Sequence, residues 1–187
     1  MKSRSAVAVV SHATVSALSI LSLPSRAQEG SAAPKDPPHS QNASPLDKRF
    51  VMDASQAGIA EVDAGRMAVQ KASSADIRAF AQKMVDDHSK ANLELASAAN
   101  KAGLTPARET DAAHKSAADT LSGLSGNAFD RAYVNMQLED HRKAVALFKD
   151  EAAKGGNLDL KEFADKTLPT LEKHLKHVEG VKSANSL

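Results

Sequence analysis

Apolar residues recur along most of this chain at steps of three, four and seven, the spacing of one helical face. Between about Leu46 and Lys71 the stripe is Phe50, Ala54, Ala57, Ala64 and Ala68. Ala72-Ser73-Ser74 then reads as a loop, with Ser74 as an N-cap and Asp76 in the first turn of a second helix reaching about Lys101. Its stripe is Ile77, Phe80, Met84, Ala91, Leu95 and Ala98, and Gly103 and Pro106 end it. Residues 107–123 carry a weaker helical pattern through Ala112, Ala113, Ala117 and Leu121, closed by Gly123 and Gly126. A third long helix is expected from a cap at Asn127 to Lys154, buried through Val134, Leu138, Val145, Phe148 and Ala152. Gly155-Gly156-Asn157 stops it. A fourth begins near Leu158 and carries Leu160, Ala164, Thr167, Leu171, Val178 and Val181; Pro169 inside it is expected to kink or split it. No segment alternates as a strand would.

Four long helices with two short loops and one long connection predict an all-α four-helix bundle over residues 46–182, with 183–187 as a tail. The short loops make the first and second long helices antiparallel, and likewise the third and fourth. The segment 102–126 is long enough to cross back to the starting end. The third long helix then runs parallel to the second, which is ferritin-like connectivity.

One polar residue interrupts each stripe: Glu61, His88, His141 and His174. Glu61 lies 13 residues before Ser74, His88 lies 14 after it, and His141 lies 14 after Asn127. At about 1.5 Å of rise per residue these three share one level of the bundle; His174, beyond Pro169, is less constrained. One carboxylate and three imidazoles converging in a core would satisfy one another poorly, whereas a divalent zinc, iron, manganese or copper ion would satisfy all four. The alternative is a buried Glu–His hydrogen-bond network without metal. Asp86-Asp87-His88 and Glu139-Asp140-His141 place two acids before each histidine. Asp87 and Asp140 face neighbouring helices and could accept from imidazole N–H groups there, or could be solvated flank residues. Asp140 could also replace His141 as a ligand, and His177, one turn beyond His174, could reach the same cavity. His114 is expected at the surface and His39 in a linker.

Composition agrees with helices: alanine occurs 35 times, there is no Cys or Trp, and aromatics are 3%. Disulfides and thiolate chemistry are excluded, and a net charge of +1 with so few aromatics excludes a nucleic-acid surface. The first 27 residues read as a secretory signal: Lys2 and Arg4, an apolar run from Ala6 to Leu23, Pro24, and the small-x-small site Ser25-Arg26-Ala27. Cleavage before Gln28 leaves 21 basic against 23 acidic residues, in an exported protein of the periplasm or cell envelope. Residues 28–45, with Pro34, Pro37, Pro38 and Pro45 among polar residues, read as a linker. No later segment is expected to span a bilayer.

Three ordered strings, GIAEVDAGRMAVQKASSADIRAFAQKMVDDHSKAN, GNAFDRAYVNMQLEDHRKAVALFKDEA and FADKTLPTLEKHLKHV, resemble the bacterial family called domain of unknown function 4142. Its members are exported proteins often labelled outer-membrane proteins. The resemblance covers about Phe50 to Val178 and implies a ferritin-like bundle, with no established activity. The chain departs from di-iron ferritin-like oxidases, which use Glu-x-x-His pairs. Val85, Leu138 and Leu171 stand three residues before His88, His141 and His174. Oxidase chemistry therefore does not carry over. The expected function is metal binding in a storage, binding or envelope-stress role; the alternatives are a metal-free structural or partner-binding module and a metal-dependent enzyme.

Overall fold

The computed structural model describes residues 42–184. The expected signal segment, the linker as far as residue 41 and residues 185–187 lie outside the described residues. Five helices make up the fold: α1 (Pro45–Lys71), α2 (Ala75–Lys101), α3 (Ala112–Ser122), α4 (Gly126–Lys154) and α5 (Leu158–Ala184). No strand occurs among the described residues, and no described helix is long and apolar enough to cross a membrane.

Local chemistry sets the boundaries. Ser44 and Asp47 form a reciprocal capping box, and Pro45 occupies the first turn of α1. Ser74 Oγ accepts from Ile77 N and caps α2, Asp111 accepts from His114 N and caps α3, and Asn157 Oδ1 accepts from Leu160 N at the start of α5. Two expectations need correction. The N-cap of α4 is Ser125, which makes no side-chain cap bond; Asn127 lies within the helix and its Oδ1 accepts from Ser73 Oγ instead. Pro169 does not split α5, which runs unbroken through it. Burial of Leu160, Phe163, Ala164, Leu171, Val178 and Val181 along its length outweighs the one backbone bond that proline removes.

α1 and α2 form one antiparallel hairpin, α4 and α5 the other. α1 packs on α4, and α2 on α5. The ends fix the directions. Asp47, at the start of α1, accepts from Gly156 N at the α4–α5 loop (2.9 Å). Asp130, near the start of α4, accepts from Ser73 N and Ser74 N at the α1–α2 loop (3.0 Å each). Thus α4 is antiparallel to α1 and parallel to its diagonal partner α2, the direction the long crossover predicts. That crossover is helical only over α3. The stretch before α3 is tied to α1 by Ala107 N donating to Ser55 Oγ (2.8 Å) and Thr110 Oγ1 donating to the Gln56 carbonyl (3.1 Å).

The core falls into two apolar clusters. Ala64, Ala68, Ile77, Phe80, Met84, Tyr133, Val134 and Val178 fill one end. Phe50, Ala54, Leu95, Phe148, Leu160, Phe163 and Leu171 fill the other. Between them lies a layer of buried polar side chains: Glu61, His88, Gln137, His141 and His174.

Candidate metal centre

His88, His141 and His174 stand on α2, α4 and α5 and are 7%, 1% and 2% exposed. Their ring centroids lie 5.4–5.6 Å apart. One ligand nitrogen from each lies within 4.8 Å of the others. Tetrahedral zinc, with bonds of about 2.0–2.1 Å, needs its nitrogens roughly 3.4 Å apart. The trio therefore needs only small side-chain adjustments to close on an ion.

The outer hydrogen bonds define which nitrogen each ring presents. His141 Nδ1 donates to the Gln137 carbonyl (3.0 Å), which leaves Nε2 as the lone-pair nitrogen. His174 Nε2 donates to Asp87 Oδ2 (2.7 Å), which leaves Nδ1. Those two nitrogens and His88 Nε2 are all buried without a hydrogen-bond partner. An orphaned buried polar atom costs about 1–3 kcal/mol, and three converging on one point are a donor set suited to a metal ion. Burial, then the neighbouring imidazoles, pushes His88 down to about 3. Burial also holds His141 and His174 below the usual imidazole range. All three rings are therefore neutral at neutral pH, the form that ligates. Asp87 accepts from His174 as the sequence suggested. Burial raises its pKa, but the Lys83 bond (2.7 Å) and His174 outweigh burial and keep the carboxylate ionised.

Glu61 belongs to the same layer but not to the trio. Its Oε2 accepts from Gln137 Nε2 (2.5 Å), and its Oε1 lies 3.6 Å from His141 Nδ1. Burial, partly offset by Gln137, raises its carboxyl to about 8. The structure thus brings together three of the four expected ligands and places the fourth behind His141. Asp140 bonds no histidine; its ion-pair partner is Lys143, at 3.8 Å. His177 is exposed and packs on the Phe80 ring (4.9 Å), away from the trio. His114 corrects the surface expectation: it is half-buried, held by Asp111 through Nδ1 (2.8 Å).

Sequence reasoning missed Gln137, which is fully buried and bridges Glu61 to the His141 turn. Its signal was positional, since Tyr133, Gln137 and His141 recur every four residues on one face. A cavity of about 350 Å³ adjoins the layer; of the three imidazoles, His88 borders it.

The chain matches a family described as a domain of unknown function, DUF4142, over residues 32–181. No curated protein matches it. Among solved structures, a DUF305 fragment from Deinococcus radiodurans superposes with a TM-score of 0.67 at 16% identity, covering 76% of this chain and 99% of that one. At that identity the likeness concerns the fold alone.

Proposed function

The chain belongs to the domain of unknown function 4142 family, and on that premise we propose that it is an exported helical-bundle protein that binds one divalent transition-metal ion through His88, His141 and His174. The observation that carries this reading is the convergence of three buried imidazole nitrogens without partners. Glu61 serves the site from outside the coordination sphere, through Gln137 and the His141 ring. Three neutral imidazoles suit zinc, copper or iron better than manganese, which prefers carboxylate oxygen. Export rests on the signal-like residues 1–27.

A second reading has one observation in its favour. The hydrogen bonds from His141 to the Gln137 carbonyl and from the Gln137 amide to Glu61 already form part of a polar network, and such a layer could stand without metal. Equilibrium dialysis against zinc or copper, followed by elemental analysis of untagged protein, separates the two. One equivalent per chain is expected for the native protein and none for His88→Ala. Failure of the native protein to retain any metal would eliminate the metal reading and leave the network.

A further inference from the structure

The cavity beside His88 is not a neutral void. Asp53, Glu61, Asp111 and Asp140 line it, with Lys143 as the one lysine and His114 at the side of α3. Lys143 does not offset these acids alone, because its ammonium is shared with Glu139 (2.6 Å) and Asp140 (3.8 Å). Three aspartates, and the Glu61 carboxyl that is protonated at neutral pH, therefore share with apolar side chains the wall of a space of about 350 Å³ that His88, 93% buried and with Nε2 unpartnered, also borders. A second cavity of about 360 Å³ lies between α1, α3 and α4 and shares Glu61, His114 and Asp140 with the first.

We propose that this cavity is the route by which a hydrated divalent cation reaches the histidine trio, with Asp53, Asp111 and Asp140 as a capture station. The inference rests on the metal reading above and adds where the ion passes. The chemistry is a hand-over between donor types. Carboxylate oxygens hold a divalent ion through its water shell, loosely enough for release. Imidazole nitrogens then replace that water where the rings converge. Asp53, Asp111 and Asp140 outnumber Lys143 there, and an excess of one sign of charge in a cleft raises the local concentration and arrival rate of the opposite ion, more so at low salt. α1, α2 and α4 each contribute an acid or the receiving histidine, so the route needs no opening of the bundle ends, which are closed by the two apolar clusters.

The test is stopped-flow uptake of cobalt(II) by the metal-free full chain, read by visible absorbance, with equilibrium titration alongside. Asp53→Asn combined with Asp140→Asn is compared with native protein and with Asp159→Asn, an exposed acid paired with Lys101. The expected result is an association rate lowered roughly three-fold or more in the double variant at low ionic strength, with a flatter salt dependence and an unchanged dissociation rate. The Asp159→Asn rate should stay native. An unchanged association rate in the double variant would overturn the route while leaving the metal site intact. So would a loss confined to faster dissociation, which would make Asp140 part of the holding site. Absence of binding by native protein at equilibrium would overturn the metal reading itself, and the route with it.

Discussion

Glu151 is fully buried, with its carboxyl against that of Asp47. Burial, and then Asp47 beside it, raises this carboxyl from 4.5 to about 8, against a weaker pull from Lys161. The sign follows from proton binding. The folded chain holds a proton that the unfolded chain has released between pH 4.5 and about 8, so stability falls as pH rises through that window. Glu151→Gln should flatten this decline by an amount on the order of a few kcal/mol, measured as urea midpoints against pH. His88 has the opposite sign: its folded pKa is depressed, so its stabilisation is complete above 6.5 and is lost as pH falls towards about 3. The histidine trio was legible because a polar residue on an apolar stripe is conspicuous in a linear pattern. The Asp47–Glu151 contact was not, since it joins the start of α1 to the end of α4 with no local signature. Nor was the retreat of Glu61: spacing set its height and face, but the Gln137 amide decides where its carboxylate rests.

At the scale of elements, each hairpin loop is gripped by an aspartate from the first turns of the other hairpin. Asp47 holds Gly156, and Asp130, 3% exposed, accepts from Ser73 N, Ser74 N and Ser73 Oγ. Asp130→Ala orphans these donors and should cost about 2–4 kcal/mol, with Asp130→Asn losing less because one oxygen remains. Chemical denaturation checks it: the midpoint should fall with an unchanged slope. The α1–α2 approach depends on Gly65, where a Cβ would sit 2.9 Å from Val85 Cγ2 and 3.1 Å from the Ala81 carbonyl. Helix extents were readable because caps and glycine stops are local chemistry. The α4 cap was read two residues too late because Asn127 is a good capping residue engaged elsewhere, by Ser73. Pro169 was read as a kink or a break because its local cost is visible in sequence; that the helix continues through it depends on packing that is not.

For the molecule as a whole, metal and stability should be coupled. A ligand restricted to the folded state adds about 2.7 kcal/mol at a hundredfold excess over Kd, or roughly 5–10 °C in Tm for a domain of this size. Chelation should remove that increment from native protein and leave His88→Ala unmoved, by calorimetry. Export has its own check: mass spectrometry of protein from a secreting host should find Gln28 at the N-terminus, and an intact Met1 would contradict the signal reading. The bundle and its directions followed from loop lengths, since two short loops and one long one admit few arrangements. Tyr133 gives the whole molecule one more property. It is the single tyrosine of a chain without tryptophan, fully buried with its hydroxyl unpartnered, and two turns along α4 from His141. All ordinary ultraviolet fluorescence therefore comes from one ring about 12 Å along the helix axis from the trio. Copper(II), which is open-shell and redox-active, should dim that emission on binding, whereas closed-shell, redox-inert zinc should leave it nearly constant. On the proposed metal reading, Tyr133 would serve as an optical gauge of which ion the core holds.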